Sequence, residues 1–324
     1  MSTYCPLLWS DCYINRSGDV YSCCHQKPSL IGNVYKTRLE DILVGDIISH
    51  LRGESLSGSL PCYASCSLLD KRPSAGRSAT DSVSEHPRFT RVHISFGEAC
   101  NIRCIMCLHP SRHAANPVLL NDEILIRQVN AESVDDFVLQ GGEPLLLRPC
   151  LSYMSYLERV GRKYTVLTNG LLIDNTMADR LALHARVVSI SLNGATKETH
   201  EAVNRGSRFE RVLANIARLH SSRERLGAGM VISGRMTITP ENIHEIPMFL
   251  RNFGELGFDR INFGFVKETV PRFLAAHPDL WSRLSMQTAE AWSEGRTEAV
   301  DNLRLRQLGL LGPGGSGTPG GCLV

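Results

Sequence analysis

The sequence lacks a long hydrophobic run and a block of like charges. Crossing a bilayer takes roughly 18 to 20 uninterrupted apolar residues, and no stretch approaches that length, so no membrane partner is predicted. The 35 basic and 33 acidic residues leave a formal net charge of +2, which gives no indication of a nucleic-acid partner. Residues 1–6 contain neither the basic region nor the apolar core of a secretory signal, so we expect a cytoplasmic protein.

What the sequence does contain in quantity is cysteine, with 11 residues in 324. In a reducing compartment, clustered cysteines are more often metal ligands than disulfides. Six of them fall in residues 1–66 and three in residues 100–107, while Cys150 and Cys322 stand apart. The spacing therefore predicts two metal-type centres.

Composition also divides the chain. Residues 71–88 are small, polar and poor in apolar anchors, which is typical of a linker. Residues 312–324 are rich in glycine and predict a flexible tail, because such a segment buries too little apolar surface to offset its ordering entropy. We expect a cysteine-rich module at 1–70, a catalytic domain at 89–270 and a helical segment at 271–311.

Strand-like and helix-like runs alternate from about residue 89. Between strands, Phe209, Val212, Ile216 and Leu219 recur at helical spacing and give one apolar face. Regular alternation of this kind predicts an α/β fold with a parallel sheet, whose chemistry gathers at the carboxyl ends of the strands. The predicted strands are 91–96, 137–139, 164–168, 187–192, 230–232 running on to 236–238, and 261–265.

Cys100, Cys104 and Cys107 directly follow the first predicted strand of this series. Three thiolates within eight residues can wrap one soft-metal centre and leave a fourth coordination position open. A zinc site is the alternative, with His109 as the nearby candidate for the fourth ligand. The open position favours an iron-sulfur centre.

Three further motifs follow in order: Gln-Gly-Gly-Glu-Pro at 140–144, Leu-Thr-Asn-Gly at 167–170 and Ser-Ile-Ser-Leu-Asn-Gly at 189–194. Together with the cysteine spacing they resemble the radical S-adenosylmethionine (radical SAM) enzymes over roughly residues 89 to 270. The resemblance implies a partial (β/α)6 TIM-type barrel. It also implies a 4Fe-4S cluster held by Cys100, Cys104 and Cys107, whose open iron chelates S-adenosylmethionine. Reductive cleavage of that cofactor yields a 5'-deoxyadenosyl radical, which abstracts hydrogen from a substrate.

The same resemblance implies a set of cofactor-binding residues. Gly141 and Gly142 would let the backbone approach the methionine moiety, and Glu143 would take its ammonium group. The alternative for this segment is a plain turn with a solvated Glu. The remaining candidates also have ordinary structural interpretations, as core filling or as loop and turn residues. They are Met106 at the adenine, Ser191 and Asn193 at the ribose, Arg205 at the carboxylate, and Asn169.

Residues 1–66 predict a hairpin around Ser17-Gly18-Asp19 that presents Cys23 beside Cys5, with Cys62 and Cys66 closing the site. The pattern resembles the twitch or SPASM auxiliary-cluster module, although that module usually follows the barrel and ends in a CxxC pair. We expect these four cysteines to hold one auxiliary cluster, of the 4Fe-4S type. Cys24 is an alternative to Cys23, Cys12 to Cys5, and a structural zinc to the cluster.

The remaining chemistry-bearing residues are harder to assign. Cys150 is expected to be a packed small side chain, and Cys322 has no predicted role. A general acid or base is not identified by the sequence. The candidates near strand ends are Glu98, His109, Tyr153, His200, Arg235 and Lys267.

Function follows from the two centres. A fully cysteine-ligated auxiliary cluster favours electron transfer, hence a radical SAM oxidoreductase acting on a small polar substrate such as a carbohydrate, a cyclitol or a natural-product precursor. A flavodoxin or ferredoxin would supply the reducing electron. A peptide-modifying maturase, forming a crosslink or an epimer, is the second hypothesis, and a non-catalytic iron-sulfur or zinc scaffold is the third.

Overall fold

The structure is a computed structural model, and it describes residues 4–24, 29–60, 66, 89–108 and 113–312, with the backbone alone for Phe89. The predictions that lie outside these residues concern the linker at 71–88, most of the tail at 312–324, Cys62, His109 and Cys322.

Twelve strands and twelve helices make up the described residues, besides short 3-10 turns. The strands are β1 (Asp11–Ile14), β2 (Asp19–Tyr21), β3 (Leu30–Asn33), β4 (Phe89–Ser95), β5 (Arg103–Cys104), β6 (Val134–Gln140), β7 (Tyr164–Thr168), β8 (Ala185–Ser191), β9 (Asn204–Arg205), β10 (Val231–Ile238), β11 (Arg260–Phe265) and β12 (Val300–Asp301). The helices are α1 (Leu7–Ser10), α2 (Leu39–Val44), α3 (Asp46–Ser57), α4 (Asp122–Gln128), α5 (Arg148–Arg159), α6 (Asn175–His184), α7 (Lys197–Val203), α8 (Phe209–Arg225), α9 (Ile246–Asn252), α10 (Thr269–Ala276), α11 (Pro278–Glu294) and α12 (Leu303–Gln307).

By compactness, the described residues fall into two units. The first contains those of Met1–Ala99 and Pro110–Thr165, and the second those of Cys100–His109 and Val166–Val324. This division differs from the predicted one, which rests on composition. The boundary between a module at 1–70 and a barrel at 89–270 stays a prediction.

In the first unit, the strand order is β6-β4-β1-β2-β3. The hairpin of β1 and β2 forms where it was predicted, since Asn15 Oδ1 accepts hydrogen bonds from the backbone N–H of Ser17 (2.8 Å) and Asp19 (3.0 Å). Gly18 completes the turn at φ +79°, a conformation that favours glycine. β1 also pairs in parallel with β4, placing Tyr13 beside His93, a pairing that the sequence did not predict.

In the second unit, the strand order is β12-β11-β10-β8-β7, and β8, β10, β11 and β12 pair in parallel. β10 is one continuous strand, which joins the two predicted runs through Ser233, Gly234 and Arg235. A separate two-stranded antiparallel pair is formed by β5 and β9. All six predicted strands are present, and the α/β class with largely parallel strands is confirmed.

The helices follow the predicted apolar periodicity. Phe209, Val212, Ile216 and Leu219 are buried on one face of α8. The predicted helical segment at 271–311 contains most of α10 and all of α11 and α12. None of the helices in the described part of the chain is long and apolar enough to cross a membrane.

Candidate functional site

The cysteine loop, residues 100–108, is held through its backbone. Strand β5 places Cys104 opposite Asn204 of β9, and the N–H of Ile105 donates to the carbonyl of Val203 at 3.0 Å. A turn is closed by the N–H of Cys107, which donates to the carbonyl of Cys104 at 3.2 Å. Cys100, Cys104 and Cys107 are all partly exposed. The loop is therefore fixed in place while its three thiols stay accessible to a ligand.

Asn169 ties the end of β7 to this loop. Its side-chain Nδ2 donates to Asn101 Oδ1 at 2.7 Å and lies 3.9 Å from Cys100 Sγ. Its Oδ1 accepts from the N–H of Leu171 at 3.0 Å, which is the turn contact that an Asn-Gly pair predicts. Asn169 thus serves the turn and also contacts the cysteine loop, which its sequence context alone did not indicate.

Asn193 is a framework residue at the end of β8. Its Nδ2 donates to Asn204 Oδ1 at 2.8 Å, and its Oδ1 accepts from the N–H of Thr237 at 2.6 Å. Its carbonyl accepts from Asn242 Nδ2 at 3.0 Å. Asn193 is only 3% exposed, and its side-chain amide hydrogen-bonds to β9 through Asn204 and to β10 through Thr237. It therefore holds the end of β8 to both of these strands. The predicted ribose contact of Asn193 stays a prediction.

His200, in α7, is fully buried and contacts Asn193. Its Nδ1 accepts from the backbone N–H of Asn193 at 3.3 Å, so the proton sits on Nε2, which donates to Ser207 Oγ at 2.9 Å. Burial lowers the pKa of His200 to about 4, against an ordinary value of 6.5. His200 is therefore neutral near pH 7 and acts as a support for Asn193.

The other predicted residues of the second unit lie around this framework. Ser191 ends β8, is partly exposed, and its carbonyl accepts from Asn204 Nδ2 at 3.4 Å. Arg205 is exposed on β9, opposite Arg103 of β5. Met106 is partly exposed within the cysteine loop. The second unit thus brings the three cysteines together with Asn204 and Arg205, and Asn204 links them to the end of β8.

Gly141 and Gly142 belong to the first unit and have a structural reason to be glycine. A Cβ at Gly141, where φ is +146°, would lie 2.5 Å from the carbonyl oxygen of Gly97. A Cβ at Gly142 would lie closer than 3.0 Å to the carbonyl oxygens of both Glu98 and Ala99, a separation that real Cβ atoms do not reach. These two glycines are therefore required because their backbone lies close to the backbone of residues 97–99, which follows β4. The sequence predicted a close approach to the methionine moiety of the cofactor instead.

Glu143 is fully buried, so the alternative of a solvated Glu is wrong. Its backbone N–H donates to the carbonyl of Ala99 at 2.9 Å. Its side-chain oxygen accepts from the N–H of Leu145 at 3.2 Å and caps a 3-10 turn at Pro144–Leu146. The position of this carboxylate is thus set by both backbone and side-chain bonds.

The amino-terminal cysteines differ sharply in environment. Cys5 is buried, and its N–H donates to Ser55 Oγ at 2.8 Å. Cys12 is fully buried within β1, and burial, aided by the negative charge of Asp11, strongly raises the pKa of its thiol. Both thiols are buried, so Cys12 stays the alternative to Cys5. Cys23 and Cys24 are partly exposed.

A buried His–Asp pair lies beside Cys24 in the first unit. His93 Nε2, on β4, is 3.9 Å from Cys24 Sγ and 3.7 Å from Asp11 Oδ1. His93 is fully buried, and its Nδ1 has no hydrogen-bond partner in the described residues. His93 was not among the predicted site residues, although a titratable side chain between Val92 and Ile94 in an apolar strand is a signal that could have identified it.

The candidate acids and bases are mostly structural. Tyr153 is buried against the Phe96 and Phe137 rings, with centroids at 5.7 and 5.9 Å, and burial raises the pKa of its hydroxyl well above the ordinary value. Glu98 forms an ion pair with Arg16. Lys267 is exposed, and Cys150 is buried, as expected of a packed side chain.

The chemistry of the central donors fits an iron-sulfur cluster. Iron-sulfur clusters take thiolate ligands, and Cys100, Cys104 and Cys107 are thiols on an anchored loop, accessible from outside. Within the described residues, no three His, Cys, Asp or Glu side chains are already arranged to hold a metal ion.

Comparison with known proteins gives the wider context. Curated relatives include a probable GTP 3',8-cyclase of Saccharolobus islandicus, 26% identical over 55% of this chain and 56% of that protein. The GTP 3',8-cyclase of Rhodopirellula baltica is 29% identical over 42% of each. The chain thus spans about half the length of the curated relatives it matches.

Solved structures give weaker likenesses. One is anSMEcpe with bound AdoMet, with 19% identity over 61% of this chain and 60% of that chain, and a TM-score of 0.44. Another is Streptococcus suis SuiB bound to precursor peptide SuiA, with 14% identity over 88% and 70% and a TM-score of 0.44.

Two family profiles match the chain directly. The iron-sulfur cluster-binding domain SPASM matches residues 5–70. The radical SAM superfamily matches residues 94–265, more than half of the 324 residues. The protein therefore belongs to the radical SAM superfamily and takes a 4Fe-4S cluster with S-adenosylmethionine together with an auxiliary iron-sulfur cluster.

Proposed function

We propose that this chain cleaves S-adenosylmethionine reductively, abstracts hydrogen from a small polar substrate, and passes an electron to the auxiliary cluster in a net oxidation. The observation that carries this proposal is the loop of Cys100, Cys104 and Cys107, anchored by β5 and β9 in a member of this superfamily. The bound cofactor supplies a 5'-deoxyadenosyl radical. The protein works in the cytoplasm, where thiolates stay reduced, and receives its electron from a flavodoxin or ferredoxin.

The chain's own residues take the following roles in this proposal. Glu143 receives the cofactor's ammonium group, because its carboxylate is buried where water does not compete. Ser191 contacts the ribose and Arg205 the carboxylate, while Met106 borders the adenine. His200 supports Asn193, and Asn193 in turn holds Asn204 of β9. The ribose contact that we assign to Asn193 is therefore secondary to its support of β9.

The auxiliary cluster, which we take to be 4Fe-4S, is assigned to Cys5, Cys23, Cys62 and Cys66. Cys12 remains the alternative to Cys5, and Cys24 the alternative to Cys23. Four cysteine ligands leave no open iron for a substrate. Electron transfer is therefore its proposed role, which is why we propose an oxidation in preference to a redox-neutral reaction.

The names of the relatives bear on the substrate. The GTP 3',8-cyclases are named for a nucleotide, which is a small polar molecule, and none of the relatives reported above is named for a carbohydrate or cyclitol. A peptide-modifying activity is the second candidate, because SuiB is described with its precursor peptide. We favour the small polar substrate.

Reductive cleavage tests the enzyme proposal. Anaerobically reconstituted protein with dithionite and S-adenosylmethionine should form 5'-deoxyadenosine, measured by liquid chromatography and mass spectrometry. Cys104→Ala should abolish the product, since it removes a cluster ligand, and Cys150→Ala, a matched change at a buried cysteine, should keep it. Protein with its full iron content and no 5'-deoxyadenosine would overturn the proposal.

Substrate class is tested with deuterated candidates. Only the true substrate transfers deuterium from its carbon into 5'-deoxyadenosine. We expect this transfer from a nucleotide or another small polar molecule and not from a peptide. Transfer from a peptide but not from any small molecule would replace our first candidate by the second.

A further inference from the structure

Strands β8, β10 and β11 form a sheet with one polar face. β10 alternates between Ser233, Arg235 and Thr237 on one side and Ile232, Gly234, Met236 and Ile238 on the other. In register, Ser189 lies beside Ser233, and Asn262 lies beside Arg235. Polar side chains of three neighbouring strands therefore share one face.

The helices cover the opposite face. Ile190 faces α8, because a Cβ at Gly170 would meet both Ile190 (3.1 Å) and Val212 (3.3 Å). Gly234 faces the ring of Phe258, at 2.7 Å from its Cβ position, and Phe258 contacts Phe249 of α9. The polar face consequently points away from α8 and α9.

Arg235 occupies the middle of this polar face and is partly exposed. Its Nη1 donates to Asn262 Oδ1 at 3.3 Å, and Asn262 Nδ2 lies 3.4 Å from Ser233 Oγ. A Cβ at Gly264 would lie 2.8 Å from Arg235 Nη2 and 3.7 Å from Thr237 Oγ1. Glycine at 264 thus leaves the space that the guanidinium occupies.

Ser189 provides a second, independent sign of a ligand. It is 1% exposed, and its Oγ has no hydrogen-bond partner in the part of the chain that the structure describes. A buried hydroxyl without a partner costs free energy, so such groups usually face a bound molecule or water. Asp301, beside Asn262 in register, accepts a hydrogen bond at 3.1 Å from the N–H of Leu303, the first residue of α12.

We propose that Arg235, with Ser189 and Thr237 on the same face, binds an anionic group of the substrate, a carboxylate or a phosphate; this rests on the proposed function. A guanidinium offers paired N–H donors that match two oxygens of such a group, and the hydroxyls add donors beside it. The site thus selects substrates that carry an oxyanion.

The test uses reconstituted protein with S-adenosylmethionine bound, at low ionic strength. Equilibrium dialysis with labelled inorganic phosphate and with labelled succinate, as separate probes, should show saturable binding of one of them, which identifies the oxyanion. Arg235→Met should weaken that binding at least about tenfold, as loss of a paired charge contact predicts. Gly264→Ala should also weaken it, because the methyl group displaces the guanidinium while the charge is kept.

Arg272→Met is the matched control, since Arg272 is exposed on α10 and the substitution changes the net charge equally. Equal weakening by Arg235→Met and Arg272→Met would overturn the proposal, and so would the absence of binding of either probe to wild-type protein. Weaker S-adenosylmethionine binding in Arg235→Met with unchanged probe binding would also overturn it. Formation of 5'-deoxyadenosine by wild type, measured in parallel, separates these failures from failure of the proposed function.

Discussion

Gly142 shows how a single missing side chain sets the site's geometry. A methyl group there would press against the carbonyl oxygens of Glu98 and Ala99, which are backbone atoms and have no rotamer to change. We expect Gly142→Ala to lower the free energy of unfolding by about 1 to 3 kcal/mol, the usual cost of overpacking. Gly229→Ala is the control, because nothing lies within 4 Å of a Cβ there. Equal stability of the two variants in urea unfolding would contradict this reading.

His200 predicts a pH dependence of stability. Its pKa is about 4 in the folded protein and near 6.5 when unfolded, so the unfolded chain takes up the proton first. The stabilisation is complete above pH 6.5 and is lost as the pH falls toward 4. Between pH 7.5 and 5.5 this amounts to roughly 1 kcal/mol of unfolding free energy.

The measurement is denaturant unfolding at the two pH values under reducing conditions. His200→Gln should remove this part of the pH dependence, although it lowers stability at both values. His113→Gln, at an exposed histidine, should leave the dependence as in wild type. A slope that His200→Gln does not change would refute the assignment.

A motif allows a site to be proposed from the sequence. Cys100, Cys104 and Cys107 could be proposed as ligands from their spacing and from the resemblance, the structure places them on one anchored loop, and their role as ligands stays a prediction. The support role of Asn193 and the burial of His93 could not be predicted, because both depend on partners far away in sequence. Asn and His carry no local signal that separates a framework bond from a ligand contact.

At the scale of elements, the pairing of β5 with β9 connects the cysteine loop to the end of β8. Asn204 accepts from Asn193 Nδ2 at 2.8 Å and donates to the carbonyl of Ser191, while its backbone faces Cys104. We expect Asn204→Ala to weaken S-adenosylmethionine binding about tenfold, as loss of a buried hydrogen bond implies. Asn175→Ala, at an exposed helix start, should have no effect.

Electron paramagnetic resonance of the reduced central cluster measures this binding, since S-adenosylmethionine bound at that cluster would change its signal. A signal that responds to S-adenosylmethionine at the same concentrations in Asn204→Ala and wild type would contradict the role given to the β5 and β9 pair.

The existence of the six main strands was predictable, because each is a short run rich in β-branched or aromatic residues bounded by turns. The ends of the strands were less predictable. β10 is one strand, but its sequence suggested two runs because Ser233 and Gly234 interrupt the apolar pattern. The parallel pairing of β1 with β4 had no local signal either. Its partners, such as Tyr13 and His93, are distant in sequence.

At the scale of the whole molecule, two separate clusters predict separable iron contents. Reconstituted wild type should hold about eight irons, and Cys23→Ala about four, since the loss of one of its four assigned thiolates destabilises the auxiliary cluster. The protein should still form 5'-deoxyadenosine, because the central cysteines are untouched. Loss of only the central cluster's iron in Cys23→Ala would show that the amino-terminal assignment is wrong.

Cys24→Ala is the comparison for that experiment, as the neighbouring thiol has the same partial exposure. If the auxiliary iron is lost in Cys24→Ala and kept in Cys23→Ala, the ligand is Cys24 and its contact with His93 becomes part of the cluster's surroundings. Loss in both variants would likewise contradict the assignment of Cys23 alone.

The parallel pairing of β1 with β4 has a consequence for the order of folding. Residues 11–14 are synthesised long before residues 89–95, so β1 has only its hairpin partner until β4 leaves the ribosome. Non-local strand pairing forms slowly and leaves edges exposed meanwhile. We therefore expect β4 expressed without residues 11–14 to present an unpaired edge that is prone to aggregation.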